Sequence, residues 1–127
     1  NNYVKNLKKD SSLNNLYRYE DIFNVKNNVI STNYDESKIH FIKGLVENTI
    51  PQNIPKKICL VILDTDFYSS TIHELNHLYP LVKKGGVIII DDYGTWSGVK
   101  KAVDEYFKNI NDLMFYIDHK TVVFIKN

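Results

Sequence analysis

Two apolar runs that each end in acidic residues constrain the fold of this chain most. The first run, residues 58–63, leads into Asp-Thr-Asp at 64–66, and the second, residues 87–90, leads into Asp-Asp at 91–92. Because residues 71–83 between them have the periodicity of one helix, the runs are predicted to be neighbouring parallel strands joined by one crossover. Both acidic groups would then lie at the same edge of the sheet, on strands about 4.8 Å apart. Such carboxylates repel one another unless a cation or a proton lies between them, so the sequence predicts a divalent metal site.

Composition limits the classes of partner. A chain of 127 residues with 43% hydrophobic residues can bury one core, so we expect a single domain over residues 1–127. The formal net charge of +1 supplies no field that would attract nucleic acid or an anionic membrane. The one cysteine, Cys59, lies within an apolar run, where we expect a core residue in a reducing, cytoplasmic setting. A small molecule is therefore the expected partner.

The first 57 residues give weaker signals. Residues 1–35 have scattered apolar positions that indicate partial helix and loop, with a short helix near 25–32 and Asn33 as its C-terminal cap. Residues 38–43 alternate apolar with polar side chains and stop at Gly44, which predicts a short strand.

The helix over 71–83 has recognisable ends. Thr71 and Glu74 have the spacing of a capping box, in which each side chain satisfies a free backbone N–H of the other residue. The paired glycines at 85–86 are expected to end the helix before the next strand. Its buried side is predicted to contain Ile72, Leu75, Leu78, Tyr79 and Val82.

The C-terminal third predicts one more helix and a hairpin. A loop at 93–98 is followed by a helix with Val99, Ala102, Val103, Tyr106 and Phe107 on one face. The strands at 113–117 and 121–125 are joined by so short a turn that they must be antiparallel. The fold class is therefore α/β, with a mostly parallel sheet, a C-terminal antiparallel hairpin, and two apolar strands that we expect to be covered on both faces.

These residues resemble a known family. From about Val25 to Ile125 the chain is similar to the macrocin O-methyltransferase (TylF-like) family of S-adenosylmethionine-dependent methyltransferases. The resemblance is carried by the blocks at 41–44, 48–51, 63–71, 78–80, 85–94 and 102–106. It implies a partial class I methyltransferase (Rossmann-like) sheet, S-adenosylmethionine as cofactor, and a hydroxyl of a sugar or sugar-bearing metabolite as acceptor.

One part of the family pattern is missing. The family holds its cofactor with a glycine-rich turn after the first strand and an acidic residue at the end of the second. None of the five glycines forms a Gly-x-Gly turn that leads from a strand into a helix, so no cofactor-binding residue is identified. We therefore interpret the chain as the C-terminal part of a methyltransferase domain, which by itself should bind the cofactor weakly.

The resemblance also implies a metal site. In related metal-dependent O-methyltransferases the ligands lie at the ends of the fourth and fifth strands, and the matching residues are Asp64, Asp91 and Asp92. Carboxylate oxygens suit Mg²⁺, which would help to deprotonate the acceptor hydroxyl. Because successive strand residues point to opposite faces, Asp91 and Asp92 can share an ion only if the chain turns between them. The alternative for Asp64 and Asp91 is a strand-end carboxylate that backbone donors hold.

Three further residues are candidates for the site. Asp66 could complete the metal shell, act as a catalytic base together with Asp64, or cap the following helix. Tyr93 and Trp96 are candidates for lining the substrate or adenine pocket, since loops beyond the strand ends carry binding residues in α/β sheets. Trp96 could instead pack on the following helix.

Other functions were compatible with parts of the sequence. Residues 73–77 form His-Glu-x-x-His, the zinc-binding pattern of metalloproteases, with His119 as the one visible third ligand. An Asp-x-Asp after a strand also suits a glycosyltransferase that binds a nucleotide sugar through Mn²⁺. A non-catalytic half-domain is the third alternative, in which an open sheet edge would drive homo-oligomer formation.

Overall fold

The computed structural model describes residues 21–127, which divide between Lys43 and Gly44 into two compact units. In the first unit, helix α1 spans Ile22–Ile30, and the carboxylate of its N-cap Asp21 accepts a hydrogen bond from the backbone N–H of Phe23. The predicted helix near 25–32 is thus confirmed, although it begins three residues earlier. The partial helix predicted within residues 1–20 lies outside the described part of the chain.

The strand predicted at 38–43 is wrong. Residues Glu36–Lys38 form a 3₁₀ turn, in which the side chain of Asp35 accepts hydrogen bonds from the backbone N–H and the hydroxyl of Ser37. Residues 39–43 are irregular. The described residues of this unit contain no strand at all, and an alternating segment without a neighbouring strand has no ladder of hydrogen bonds to join.

The second unit contains one four-stranded sheet in the order β1-β2-β4-β3. Its strands are β1 (Ile58–Leu63), β2 (Val82–Ile90), β3 (Leu113–Tyr116) and β4 (Val122–Ile125). Its helices are α2 (Val46–Thr49), α3 (Tyr68–Leu78), which continues as a 3₁₀ turn at Tyr79–Leu81, and α4 (Ser97–Phe107). Strands β1 and β2 are parallel, whereas β4 is antiparallel to both β2 and β3, so the predicted crossover and the predicted hairpin are confirmed.

One face of the sheet forms the core together with α3 and α4. The buried members of this core include Leu63, Leu75, Leu78, Ile88, Ile90, Val99, Val103, Val122 and Phe124. The helical positions among them follow the spacing that the sequence predicts for one buried face of each helix.

The opposite face remains apolar but open, and we call it the open apolar face. Register places its members in two rows of four, Leu60, Val87, Ile125 and Leu113 in one row and Ile62, Ile89, Val123 and Phe115 in the other. Leu60 is 56% exposed and Ile62 is 60% exposed. The expectation that both apolar strands are covered on both faces is therefore wrong for the described residues, and Cys59 is exposed as well. The reason is that α3 and α4 both pack against the other face of the sheet.

Helix α3 begins earlier than the sequence predicts. It starts at Tyr68 after the N-cap residue Phe67, whose side chain makes no capping bond, so Thr71 and Glu74 lie inside the helix and do not form a capping box. The hydroxyl of Thr71 donates instead to the carbonyl of Phe67 at 2.9 Å and to that of Thr65 at 3.2 Å.

The paired glycines do not end the helix; they lie within β2. Register shifts there, because Ile58 and Leu60 on β1 pair with Val82 and Val87 on β2. Gly85 has a φ of +77°, which an L side chain rarely adopts, so the irregular stretch needs a glycine.

Among residues 21–127, none of the helices is both long enough and apolar enough to cross a membrane.

Candidate functional site

Three carboxylates meet where β1 and β2 end. Asp64 follows β1, and Asp91 and Asp92 follow β2. Each offers an oxygen that lies within 4.8 Å of the oxygens of the other two. The backbone N–H of Asp91 donates to the carbonyl of Leu63 at 3.0 Å, so the two strand ends are held side by side. The carboxylate cluster predicted from the two apolar runs is therefore present.

A left-handed residue makes this meeting possible. Asp92 has a φ of +57°, and its carbonyl accepts hydrogen bonds from the backbone N–H groups of Thr95 and Trp96 at 3.0 and 2.9 Å. The chain therefore leaves the strand at Asp92, which lets Asp91 and Asp92 face the same region. Aspartate is one of the few residues that adopt this conformation at modest cost.

The turn between β3 and β4 packs against the same loop. The backbone N–H of Gly94 donates to the carbonyl of Lys120 at 2.9 Å, and a Cβ atom at Gly94 would lie 1.9 Å from the carbonyl oxygen of His119. Only glycine allows so close an approach.

Donors from outside the strand ends orient two of the carboxylates. The hydroxyl of Thr121 donates to Oδ1 of Asp91 at 2.9 Å. Oδ2 of Asp92 accepts from Nε1 of Trp96 at 3.2 Å, and its Oδ1 lies 4.0 Å from Nζ of Lys120. Two neutral donors and one half-exposed lysine do not balance three negative charges, so the cluster keeps an excess of negative charge.

Asp66 lies beside the cluster. Partial burial raises the pKa of Asp66 above its ordinary value, and the charges of Asp92, Asp64 and Asp91 raise it further, while the nearby indole N–H of Trp96 has a smaller opposing effect. The suggestion that Asp66 caps α3 is wrong, because the N-cap position belongs to Phe67 and carries no side-chain bond. Its side chain belongs electrostatically to the carboxylate cluster.

The two aromatic candidates differ in accessibility. Trp96 is 39% exposed at the rim of the cluster, with its indole N–H directed to Asp92. Tyr93 is only 5% exposed, and its hydroxyl donates to Oδ1 of Asp104 while accepting from Nζ of Lys100, both at 2.7 Å. Burial, together with the bond to Asp104, raises the pKa of Tyr93 to about 12 against the opposing effect of Lys100, so this hydroxyl stays protonated.

Sequence reasoning missed this link between the site and α4. Lys100 and Asp104 form a helical i,i+4 ion pair at 2.9 Å, a spacing that could have signalled the pair. Nζ of Lys100 also lies over the ring of Tyr93, 4.4 Å from its centroid. This contact depends on how the loop and α4 pack, so no local sequence pattern predicts it.

The His-Glu-x-x-His segment does not assemble a zinc site. Nε2 of His73 lies 3.0 Å from the carbonyl oxygen of Ile50, and Nδ1 of His77 lies 2.8 Å from that of His73. Glu74 is buried and accepts a 2.7 Å hydrogen bond from the hydroxyl of Thr65. Across residues 21–127 the carboxylate cluster is the sole group with three or more ligand side chains in range of one ion.

Known proteins match most of this chain. A family model described as macrocin-O-methyltransferase (TylF) matches residues 4–126. The demethyldecarbamoylnovobiocin O-methyltransferase of Streptomyces niveus is 38% identical over 76 residues, which cover 58% of this chain and 29% of that protein. The mycinamicin III 3''-O-methyltransferase of Micromonospora griseorubida is 32% identical over 89 residues, which cover 68% and 35% respectively. The chain thus spans about a third of the length of these curated relatives.

Solved structures give the same fold. The O-methyltransferase NovP aligns with a TM-score of 0.77 and 31% identity over 81% of this chain and 43% of its own. CalS11, a TDP-rhamnose 3'-O-methyltransferase, aligns with a TM-score of 0.55 over 66% of this chain at 20% identity, a likeness of fold alone. The partial Rossmann-like methyltransferase sheet expected from the sequence is therefore confirmed.

Proposed function

The chain belongs to the macrocin O-methyltransferase (TylF) family, and from this premise we propose that it takes part in the transfer of a methyl group to a hydroxyl of a sugar or sugar-bearing metabolite. The relatives support this acceptor class, since one is named for the 3'' position of mycinamicin III and another for the 4' position of a rhamnosyl tetracenomycin. The family assignment favours methyl transfer over the glycosyltransferase alternative. The observation that carries the proposal is the cluster of Asp64, Asp91 and Asp92 at the end of β1 and β2.

The donor set of this cluster suits a magnesium ion. Three carboxylates supply hard oxygen ligands and negative charge, which is what Mg²⁺ prefers. When bound, the ion would act as a Lewis acid that lowers the pKa of the acceptor hydroxyl. Asp64, Asp91 and Asp92 would hold it, with Thr121 orienting one of the ligands.

The remaining site residues have distinct proposed tasks. Asp66 lies next to the cluster and would accept the proton of the acceptor hydroxyl, together with Asp64 if that residue is not fully engaged as a ligand. Trp96 is accessible at the rim and would stack against the acceptor. Tyr93 has its hydroxyl engaged by α4, so it would contribute to substrate binding by shaping the loop that carries Trp96.

Within residues 21–127, the part of the chain that the structure describes, no glycine-rich turn forms a cofactor cradle. When bound, S-adenosylmethionine would supply an electrophilic methyl group, but no glycine-rich turn follows a strand here, and we derive no step through it. We propose that the chain is the C-terminal part of a methyltransferase domain and that a cofactor-binding part, corresponding to the unmatched portion of NovP, covers the open apolar face. Within the described residues, the exposed outer members of that face, Leu60, Ile62, Leu113 and Phe115, and the edge position of β1 support this arrangement.

Two tests separate the proposed metal site from the proposed need for a further cofactor-binding part. In the first, this chain replaces the matched 43% of NovP, and the chimera is assayed for methyl transfer from labelled S-adenosylmethionine to demethyldecarbamoylnovobiocin and TDP-rhamnose, with Mg²⁺ or with EDTA. We expect turnover that EDTA, Asp64→Asn and Asp91→Asn each abolish. Asp35→Asn, an exposed aspartate hydrogen-bonded to Ser37, is the matched control and should leave turnover unchanged. Undiminished turnover in EDTA would refute the metal assignment.

In the second test, the chain alone is titrated with S-adenosylhomocysteine in a calorimeter. We expect no binding by the folded chain. Tight binding would mean that these residues hold the cofactor unaided, and the proposed need for a further cofactor-binding part would be wrong.

Two earlier expectations stay predictions. The single cysteine supports a reducing, cytoplasmic setting. A homo-oligomer formed through the open sheet edge would appear in analytical ultracentrifugation as a concentration-dependent mass of twice the monomer.

A further inference from the structure

Helix α3 holds the Asp-Thr-Asp loop through two hydrogen bonds to one residue. The hydroxyl of Thr65 donates to Oε2 of Glu74 at 2.7 Å. The carbonyl of Thr65, at 3.2 Å, shares the single hydroxyl proton of Thr71 with the carbonyl of Phe67, at 2.9 Å. Glu74 is 5% exposed and Thr71 is 1% exposed, so neither bond competes with much bulk water. Both the side chain and the backbone of Thr65 are therefore fixed to the helix.

Thr65 is the residue between two carboxylates of the site. Asp64 belongs to the carboxylate cluster, and Asp66 lies close enough to feel the charges of the cluster. Because the peptide unit is planar, holding the carbonyl of Thr65 also sets the direction in which the chain enters Asp66. The contacts on Thr65 thus limit the orientations open to both neighbours.

The burial of Glu74 is costly for a purely structural contact. A carboxylate that is removed from water loses solvation unless strong partners replace it. Its surroundings do not compensate fully, since Glu47 and Asp64 repel its charge while His73 attracts it. An ionised acceptor gives a stronger bond to the hydroxyl of Thr65 than a neutral one would. The buried carboxylate therefore lowers the stability of the fold but makes the loop at Thr65 more rigid.

The histidine beside Glu74 acts at the other end of the same strand. His73 is bonded to the carbonyl of Ile50, which precedes β1, whereas Glu74 is bonded to Thr65, which follows β1. Successive residues of α3 therefore hold the segments on both sides of the strand that leads to Asp64. This arrangement accounts for His73 and Glu74 of the metalloprotease-like pattern, whereas His77 bonds to the carbonyl of His73 within the helix.

We propose that Glu74 is a positioning residue that, together with Thr71, fixes Thr65 and thereby orients Asp64 and Asp66 for metal binding and proton transfer. This inference rests on the proposed metal site. It assigns no direct contact between Glu74 and an ion, substrate or cofactor.

The test uses isosteric variants on both sides of the bond. Thr65→Val removes the hydroxyl but keeps the shape, Thr65→Ser keeps the hydroxyl, and Glu74→Met removes the acceptor. Mn²⁺ affinity is measured on the whole chain by electron paramagnetic resonance, and the order parameters of the amides of Thr65 and Asp66 are measured by ¹⁵N relaxation in metal-free protein. Glu105→Met is the control, because Glu105 also accepts a hydroxyl bond, at 2.6 Å from Tyr68, but on the exposed side of α4.

We expect Thr65→Val and Glu74→Met each to weaken Mn²⁺ binding about tenfold, the scale of one hydrogen bond to a charged group. The order parameters at Thr65 and Asp66 should fall from about 0.85 towards 0.6. The double variant should lose no more than either single one, since both remove the same bond. Thr65→Ser and Glu105→Met should behave like the unmodified chain.

Several outcomes would overturn the inference. Unchanged Mn²⁺ affinity and order parameters in Thr65→Val would refute it, and so would additive losses in the double variant. If the unmodified chain binds no Mn²⁺, the metal proposal fails by itself, and the order parameters in metal-free protein decide whether Glu74 holds the loop. If Glu74→Met does not fold, the comparison of Thr65→Val with Thr65→Ser decides the question.

Discussion

The hydroxyl of Thr121 donates a 2.9 Å hydrogen bond to Oδ1 of Asp91, across 30 positions of sequence. This bond joins the start of β4 to the end of β2, next to the antiparallel pairing of Ile90 with Val122. The C-terminal hairpin therefore does more than complete the sheet, because it supplies a donor that orients a candidate metal ligand.

Removing that donor should weaken the site more than the fold. We expect Thr121→Val to reduce Mn²⁺ affinity several-fold and to lower the free energy of unfolding by about 1 kcal/mol, the usual net value of one hydrogen bond. Titration with Mn²⁺ and urea denaturation measure the two effects. Thr121→Ser, which keeps the hydroxyl, is the control, and equal affinities for the valine and serine variants would contradict a role for this bond.

Segments with a strong hydrophobic pattern were predictable because that pattern is local in the sequence. The apolar run of β1 and the helical face of α4 follow from spacing alone, and both match the structure in type and position. The meeting of Asp64, Asp91 and Asp92 was also predictable, since parallel strands joined by one crossover end at the same sheet edge.

Contacts between distant residues were not predictable. The start of α3 was misplaced because Thr71 and Glu74 have the spacing of a capping box, yet both bond to Thr65. The exposure of Leu60 has the same origin, since an apolar strand in a sequence does not reveal whether a neighbouring element covers it. The local sequence pattern predicts which helices and strands form. The partners of Thr71, Glu74 and Leu60 depend on how those elements pack together.

A substitution at Tyr93 distinguishes a role in metal binding from a role in the stability of the fold. Its hydroxyl bonds to both Lys100 and Asp104, while those two residues also bond to each other at 2.9 Å. We expect Tyr93→Phe to lower the free energy of unfolding by about 1 kcal/mol, because Lys100 and Asp104 lose a shared hydroxyl but are half-exposed and can bond to water instead. Mn²⁺ affinity should stay within twofold of the unmodified chain. A large loss of Mn²⁺ binding without a loss of stability would instead show that the hydroxyl serves the metal site directly.

The buried carboxylate of Glu74 should make stability depend on pH. Burial raises the pKa of Glu74 above its ordinary value of 4.5, so the folded chain disfavours the ionised form. The free energy of unfolding of the unmodified chain should therefore fall as pH rises from 4.5 through the raised pKa, whereas Glu74→Gln does not titrate and still offers an acceptor to Thr65.

The measurement is urea denaturation of both proteins between pH 4 and pH 8. The stability of Glu74→Gln relative to the unmodified chain should increase across the lower part of this range and then level off. Glu105→Gln, at an exposed hydroxyl-bonded glutamate, controls for the general loss of one charge. A relative stability that does not change with pH would mean that burial does not perturb Glu74.

Two leucines of β1 should differ sharply in how much stability the protein loses when each is replaced by alanine. Leu60 is 56% exposed on the open apolar face, whereas Leu63 is 3% exposed in the core. In this chain we expect Leu63→Ala to lower the free energy of unfolding by about 2–5 kcal/mol and Leu60→Ala by less than about 1 kcal/mol, because only the first leaves a cavity. Urea denaturation of both variants measures the difference.

In the chimera with the unmatched portion of NovP, Leu60→Ala should become as costly as an ordinary core truncation, since the added part would bury Leu60. A large loss in the isolated chain would mean that something already covers this face, and a small loss in the chimera would mean that the cofactor-binding part does not cover it.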